Sequence, residues 1–252
     1  MKEQIHTIPV NDAFLSGDEC PFCHMEREAE QRIIRFTLGP SASYMEVDVR
    51  EQTNRQGFCR DHLKKMYDYS NPLGSALILQ THMDEMLEQL EASRPNAEAP
   101  AKRPLLRPKA PQKATPLADW AKQTEHSCYI CTRLQSTMDR YYSTFFHMIR
   151  DAEFRSRVGA SKGFCLHHYF ALMAQAEERL PKNQHEWFYE TVYTLTRDNL
   201  LRVKEDLDWF VQKFDYRNSG ADWKNSRDAL PRAIQKLRGG YPSDPPFREK
   251  GK

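Results

Sequence analysis

The sequence repeats one arrangement of cysteine and histidine, and this repeat limits the fold more than any other feature. A Cys-x-x-Cys pair followed by a Gly-Phe-Cys-x-x-His pair occurs twice. Cys128 lies 108 positions after Cys20, and Cys165 lies 106 positions after Cys59, so the offset indicates an internal duplication. The two copies use all 6 cysteines of the chain. The predicted metal ligands are Cys20, Cys23, Cys59, His62, Cys128, Cys131, Cys165 and His168.

Each copy supplies three sulfurs and one imidazole, which is the donor set of a closed four-coordinate zinc site. We therefore expect each copy to hold one Zn²⁺, which makes two per chain. Both Cys-x-x-Cys pairs and both Cys-x-x-His pairs precede helical patterns, so each site would join two helix N-termini. Three thiolates around a divalent cation leave one negative charge, which we expect Arg60 or Lys64 to offset.

The histidine of the second copy is less certain than its cysteines. His168 aligns with His62 and is the preferred ligand, but its neighbour His167 stays open as an alternative. His24 and His126 stand next to the two Cys-x-x-Cys pairs, and we expect them at the surface or behind the ligands.

Other chemistries use similar motifs. Iron–sulfur clusters also accept three cysteines and a histidine, and the sequence does not separate them from zinc. Cys20-Pro-Phe-Cys23-His24 matches a c-type haem attachment motif, but Thr132 stands where the second copy would need histidine. The first Cys-x-x-Cys also resembles a thiol–disulfide redox motif, but no β-strand pattern precedes it. A disulfide framework would conflict with the reducing cytoplasm that we expect.

Composition narrows the function classes. The chain has 252 residues, a formal charge of +2, 39% hydrophobic and 29% charged residues, which fits a soluble helical protein without a bias toward polyanions. The N-terminus lacks a secretory apolar segment and no stretch is long enough to insert into a membrane, so we expect a cytoplasmic protein. Recognition motifs for nucleic acid are absent, and so are phosphate loops and nucleophile elbows. This favours a protein that is not an enzyme, without deciding the matter.

The chain divides at a basic, proline-rich stretch. Residues 93–117 contain 6 prolines among lysine, arginine and alanine, which predicts a semi-extended linker. We expect residues 1–92 to form a first metal-binding helical unit and 118–216 a second. Residues 217–252 would form a C-terminal helix and tail. The predicted fold is all-α, with two related three-helix units that are each clamped by a Cys3His metal site.

Apolar residues at helical spacing place the individual helices. In the first unit they predict helices from Cys23, from near Phe58 and over Pro72–Glu91, with a loop that contains Gly39, Pro40 and residues 47–49. In the second unit the predicted helices start at Cys131, near Phe164 and at Pro181. A last helix is expected to begin at Ser226 as its N-cap and to end at Gly239.

The ordered set of motifs resembles an uncharacterised bacterial family. The resemblance rests on Cys20-Pro-Phe-Cys23, Gly57-Phe-Cys59-x-x-His62, the second Cys-x-x-Cys with Gly163-Phe-Cys165, and Phe214-Asp-Tyr-Arg-Asn218, and it covers nearly the whole chain. Members are common in anaerobic Firmicutes and carry a domain-of-unknown-function label. The resemblance implies a bacterial cytoplasmic protein and supplies no activity. Some relatives are labelled ABC-transporter substrate-binding proteins, which the missing signal peptide and lipobox cysteine contradict.

Two hypotheses of function follow. The first is a zinc-stabilised interaction or regulatory module that binds a protein or a small molecule. The second is a redox or metal-sensing protein with iron–sulfur or thiol centres. Aromatic residues are denser around the second copy, so we expect its site to be the better buried.

Overall fold

In the computed structural model, residues 4–94 and 116–240 are described, and that part of the chain is helical without strands. This confirms the predicted all-α class. The α-helices are α1 (Ile8–Leu15), α2 (Pro21–Leu38), α3 (Val47–Gln56), α4 (Arg60–Asp68), α5 (Pro72–Ala92), α6 (Pro116–Glu125), α7 (Tyr129–Met148), α8 (Ala152–Ala160), α9 (Leu166–Arg179), α10 (Lys182–Gln212) and α11 (Ala229–Arg238). Two short 3-10 turns cover Ser43–Met45 and Tyr216–Asn218.

Helices α2, α4, α5, α7, α9 and α10 begin within a few residues of the predicted positions. The expected loop around 47–49 is wrong, because these residues open α3. Only Val49 and Thr53 of α3 are buried, so its apolar face is too short to show helical periodicity in the sequence. Helices α1, α6 and α8 were likewise not predicted, and each spans at most 10 residues.

The last helix starts later than expected. Asp228, not Ser226, is the residue before α11. The buried Ser226 instead donates its hydroxyl to the carbonyl of Trp223 at 2.7 Å, which closes the turn ahead of the helix. Gly239 ends α11 as predicted, with φ of 81° in the left-handed region that favours glycine. Most of the predicted linker, residues 95–115, lies outside the described residues.

The described chain forms two compact units. The larger unit contains residues 4–30 and 134–240, and the smaller unit contains 31–94 and 116–133. Each unit therefore draws on both sides of the linker, which differs from the predicted boundaries at 1–92 and 118–216. The divisions fall inside α2 and α7, so each of these helices begins in one unit and ends in the other.

The two units have different cores. In the larger unit, rings of Phe14, Phe22, Phe145 and Phe164 meet with centroids 5.4–6.3 Å apart, and most of these pairs are edge to face. Such pairs add stability beyond the buried area. The core of the smaller unit is largely aliphatic and consists of Ile34, Leu38, Val49, Met66, Tyr69, Ile78, Cys128, Tyr129 and Ile130.

Candidate metal centres

Four of the predicted ligands meet inside the larger unit. The side chains of Cys20, Cys23, Cys165 and His168 are at most 1% exposed, and we call them the buried cluster. The Nδ1 atom of His168 lies 3.5 Å from the sulfurs of Cys20 and Cys23 and 3.1 Å from that of Cys165. The sulfurs of Cys23 and Cys165 are 3.6 Å apart.

The other four meet inside the smaller unit. We call Cys59, His62, Cys128 and Cys131 the half-exposed cluster, because Cys59 is half-buried and Cys131 is exposed. The Nδ1 atom of His62 lies 3.1 Å from the sulfur of Cys59, 3.4 Å from that of Cys128 and 3.3 Å from that of Cys131. The sulfurs of Cys59 and Cys131 are 3.9 Å apart.

Each unit thus contains one Cys3His cluster, but the expected pairing within each sequence copy is wrong. The first Cys-x-x-Cys joins the second Cys-x-x-His, and the second Cys-x-x-Cys joins the first Cys-x-x-His. The reason is the helix that follows each Cys-x-x-Cys. α2 and α7 have 18 and 20 residues, and such helices rise about 30 Å. Each of these helices ends in the other unit, so the Cys-x-x-His pair of the same sequence copy lies in that other unit.

The donor distances fit a single ion. Zn–S bonds of about 2.3 Å and Zn–N bonds of about 2.0 Å give tetrahedron edges of about 3.8 Å between sulfurs and about 3.5 Å between sulfur and nitrogen. The measured separations of 3.6–3.9 Å and 3.1–3.5 Å lie close to those edges. In each cluster all four donor atoms lie within 4.8 Å of one another. All six cysteines are free thiols, so the disulfide alternative has no support in these residues.

The local backbone explains how the Cys-x-x-His pairs form. Cys59 and Cys165 are the N-cap residues of α4 and α9, with nearly equal dihedrals of −70°, 162° and −74°, 161°. The imidazole three residues later then lies on the same side of the first helical turn. Gly57 and Gly163, two residues before each N-cap, have φ of 58° and 72°, so the Gly-Phe-Cys glycine serves a left-handed turn in both copies.

Helix ends supply positive potential at the sulfurs. The helices that begin at the clusters are α2 and α9 in the larger unit and α4 and α7 in the smaller one. The backbone N–H of His168 donates to the sulfur of Cys165, and that of Cys131 donates to the sulfur of Cys128, each at 3.4 Å. Such donors and the dipole of each first turn favour thiolate over thiol.

The residues of the buried cluster shift one another's pKa values. Burial raises the pKa of the Cys20 thiol, but contacts with Cys165 and Cys23 and the charge of His168 outweigh it and hold this pKa well below its usual value. Contacts with Cys165 and Cys20, together with burial, raise the pKa of Cys23. Burial lowers the pKa of His168, yet the Cys20 thiolate overrides it and raises the pKa well above the usual value. A thiolate on Cys20 and an imidazolium on His168 therefore stabilise each other.

The half-exposed cluster divides its protons in a similar way. Burial raises the pKa of Cys128, but contacts with His62 and backbone N–H groups outweigh it and lower the pKa to about 6. Burial and the neighbouring Cys128 sulfur raise the pKa of Cys131 to about 12. A metal ion must displace the proton on Cys131, because the thiolate is the ligand.

A buried lysine of α11 ties together the two loops that carry the buried cluster. The Nζ atom of Lys236 donates to the carbonyl of Glu19, just before Cys20, at 2.6 Å and to the carbonyl of Lys162, just before Gly163, at 2.5 Å. Its charge is balanced by the Glu19 carboxylate at 3.4 Å. Sequence analysis missed Lys236, since nothing marks a lysine in an amphipathic helix as buried.

The same helix holds the cluster at two further points. Gln235 donates to the carboxylate of Asp18 at 2.7 Å, and that carboxylate also accepts the N–H of Cys20 at 3.1 Å. A Cβ built on Gly239 would lie 3.7 Å from the sulfurs of Cys23 and Cys165. The sequence indicates this glycine only as a helix end, whereas the structure places it beside the sulfurs.

In the smaller unit the two loops bond directly. The N–H of Tyr129 donates to the carbonyl of Gly57 at 2.9 Å, which links the second Cys-x-x-Cys to the first Gly-Phe-Cys. His82 of α5 supports the same turn by bonding the carbonyl of Asn54 at 2.7 Å through Nδ1. Arg133 lies over the ring of Tyr129, 4.7 Å from its centroid.

The remaining histidines and cations stand elsewhere. His167 is exposed and His168 occupies the cluster, which follows the preferred alignment. His24 lies near Arg27 and Asp18, and His126 is exposed. Lys64 is one of the two cations that we expected to offset the cluster charge. Lys64 pairs with Asp68 at 2.5 Å, because the two residues are one turn apart on α4.

The cluster that contains the second Cys-x-x-His is the better buried one, as the aromatic density suggested, but the second Cys-x-x-Cys lies in the other cluster. Cys165 and His168 of the second copy are buried, but Cys131 of the same copy is exposed, because the copies exchange their motifs. Aromatic rings enclose His168 of the second Cys-x-x-His, where the ring centroids of Phe22 and Tyr142 lie 5.6 and 6.5 Å from that of the imidazole. Phe22 of the first Cys-x-x-Cys completes that enclosure by stacking on Tyr142 at 4.8 Å.

Comparison with known proteins gives a family and no activity. No curated protein and no solved structure matches the chain. None of the described helices is both long and apolar enough to cross a lipid bilayer. A match over residues 1–244 to a family of unknown function, DUF6062, covers almost the whole sequence, and the chain belongs to that family.

Proposed function

We propose that this protein binds two zinc ions, one in each Cys3His cluster, and acts without catalysis as an interaction or regulatory module in the bacterial cytoplasm. The observation that carries the proposal is the meeting of eight donor atoms in two closed sets of four. Cytoplasmic location and bacterial origin rest on the sequence resemblance and the unpaired thiols.

The geometry supports a mononuclear ion over an iron–sulfur cluster. In a cluster the protein sulfurs bind different iron atoms, which spreads the ligands around a larger core. Here the donor atoms fall within 4.8 Å of one another in both sets. Three soft thiolates and one imidazole suit zinc among the common divalent ions.

A structural role follows from the ligand count. Four protein donors fill a tetrahedral site, whereas catalytic zinc keeps one position for water or substrate. Each ion would join two helix N-termini that are far apart in the sequence, such as those of α2 and α9 in the larger unit. Metal binding would therefore contribute directly to folding.

The test is elemental analysis of protein purified without oxygen, together with its absorption spectrum. We expect two zinc ions per chain and no visible absorption. Iron with sulfide and a brown colour would overturn the zinc proposal. His62→Ala and His168→Ala should each lose one ion, whereas His24→Ala and His167→Ala serve as matched controls and should keep both.

A second candidate function is thiol-based sensing, favoured by the exposed Cys131 in the half-exposed cluster. A peroxide would take two electrons from the thiolates of Cys59 and Cys131, whose sulfurs are 3.9 Å apart. The products would be a disulfide, two hydroxide equivalents from the peroxide and a released metal ion. Release of one zinc per chain by stoichiometric hydrogen peroxide, reversed by a thiol reductant, would support sensing. Retention of both ions would contradict it.

A further inference from the structure

A groove in the larger unit lies outside both clusters. It is bounded by α9, α10 and α11, which pack pairwise against one another, and has a volume of about 520 Å³. We call it the α10 groove. Its lining includes none of the eight cluster residues and is mostly aliphatic along α10, with Leu200, Val203 and Leu207 at helical spacing. Pockets of this size and polarity between helices are typical of small-molecule sites.

The groove exposes apolar surface at its rim. Tyr193, Leu201 and Leu237 line it and are 51%, 43% and 55% exposed. Exposed leucines gathered around one concavity differ from singly scattered ones, because together they form an apolar patch. Burial of this patch by a ligand would be favourable.

One polar atom of the groove lacks a partner. Thr196 of α10 lines the groove, is 3% exposed, and its hydroxyl makes no hydrogen bond within the described chain. A helical threonine usually satisfies its hydroxyl on the carbonyl one turn earlier. A buried hydroxyl without a partner is costly, so its presence at the wall of a groove points to a ligand that accepts a hydrogen bond from it.

The charges at the groove select an anion. Arg197, next to Thr196, and Lys204, two turns further along α10, both line the groove. Their carboxylate neighbours, Asp198 and Asp208, do not line it, and both ion pairs are exposed to solvent. Exposed pairs of this kind are weak, so both cations remain able to face an anionic ligand.

We propose that the α10 groove binds an apolar carboxylate of the fatty-acid class. The carboxylate accepts the hydroxyl of Thr196 and pairs with Arg197, and the hydrocarbon chain lies along Leu200, Val203 and Leu207. A charge-assisted bond to Thr196 satisfies the one orphan donor, and the aliphatic wall receives the chain. This proposal names a ligand for the interaction module, yet it does not depend on which metal the clusters hold.

The experiment is calorimetric titration of the metal-loaded full chain with dodecanoate, kept below its micelle concentration. We expect saturable one-to-one binding, with dodecanol bound about tenfold more weakly and dodecyltrimethylammonium more weakly still, because charged hydrogen bonds are the stronger ones. Thr196→Val keeps the side-chain shape. It should lower dodecanoate affinity about tenfold while leaving the thermal midpoint of the ligand-free protein unchanged or higher.

Matched charge variants complete the test. Arg197→Gln should weaken dodecanoate but not dodecanol, whereas Lys182→Gln, at an exposed position on α10 outside the groove, should change neither. Absence of dodecanoate binding, or binding that ignores both Thr196→Val and Arg197→Gln, would overturn the proposal. So would a concentration-dependent dimer that buries this face, since a second copy would then be the occupant. Zinc analysis remains separate, so failure of one proposal leaves the other measurable.

Discussion

The two clusters share their ligands, their use of histidine Nδ1 and their exchanged connectivity, but their surroundings differ. The buried cluster lies among phenylalanine rings in the larger unit, whereas the half-exposed cluster presents Cys131 to solvent. Duplication therefore preserved the donor set while the support around it diverged. Both clusters contribute to a core, but only the half-exposed one has a ligand, Cys131, that is exposed to solvent.

The divergence is clearest where the two loops of each cluster meet. In the smaller unit the N–H of Tyr129 bonds the carbonyl of Gly57. The corresponding residue in the larger unit is Pro21, which has no N–H to donate. Lys236 of α11 replaces that bond by donating to the carbonyls of Glu19 and Lys162. The buried cluster thus depends on a helix beyond the duplicated motifs.

Loss of a metal ligand should produce the largest difference in unfolding free energy between the two clusters. Cys59→Ser and Cys165→Ser are matched, because both residues are helix N-caps and both precede the histidine ligand by three positions. We expect Cys165→Ser to cost about 4 kcal/mol or more, since it leaves buried thiols and an imidazole without their metal. Cys59→Ser should cost about 1–2 kcal/mol, because water can reach that site.

Unfolding by urea, with zinc content measured on the same samples, checks this pair. Equal losses of free energy would show that burial does not set the contribution of each centre. Loss of both ions in either variant would mean that the two clusters fold together.

Removal of the Lys236 amine should weaken only the buried cluster. Lys236→Met keeps much of the aliphatic length but leaves the carbonyls of Glu19 and Lys162 without their donor. We expect a loss of about 2–3 kcal/mol, less than for a ligand, because removing the amine also removes a desolvated charge. Faster zinc release to a chelator from one site, with the other unchanged, is the expected readout. Lys204→Met, on the exposed face of α10, is the control.

Sequence reasoning reached the all-α class and the eight residues that meet in the clusters, because spacing and helical periodicity are local properties. It did not predict the exchanged pairing, which depends on the unit in which α2 and α7 each end. Lys236 and the contact of Gly239 with two sulfurs were also missed, since both arise from the docking of α11. Short helices such as α3 were missed because few of their residues are buried.

Glycine substitutions test the turns before the Cys-x-x-His pairs. Gly57→Ala and Gly163→Ala both place a side chain at positive φ, which costs about 1 kcal/mol. A Cβ on Gly163 would lie 2.9 Å from the backbone oxygen of Leu195, whereas one on Gly57 would meet the side chain of His82 at 2.5 Å.

A side chain moves more easily than a helix backbone, so Gly163→Ala should cost about 1 kcal/mol more than Gly57→Ala. Gly159→Ala in α8, where nothing lies within 4 Å, is the control and should be neutral or stabilising by about 0.5–1 kcal/mol. Urea midpoints of the three variants measure the differences. A larger loss for Gly57→Ala would mean that His82 is held more rigidly than the α10 backbone.

Metal binding to both clusters should depend on pH, because a metal must displace protons from their ligands. In the half-exposed cluster a metal must displace the proton of Cys131, whose pKa is about 12, whereas Cys128, whose pKa is about 6, has none to lose above pH 7. In the buried cluster a metal must displace protons from both Cys23 and His168, since the pKa values of both are raised. Metal affinity should therefore rise with pH in both clusters, by at least about tenfold per unit in the half-exposed cluster and more steeply in the buried one.

Zinc titrations of the wild type and of Cys59→Ser between pH 7 and 8.5 separate the two slopes, because that variant retains only the buried cluster. The difference between the proteins reports the half-exposed cluster. Equal slopes would mean that the two metal-free clusters hold the same number of protons despite their different burial. A steeper slope for the buried cluster would mean that its metal occupancy depends more strongly on pH. At constant pH the half-exposed cluster, which solvent reaches, would then be the one that exchanges metal.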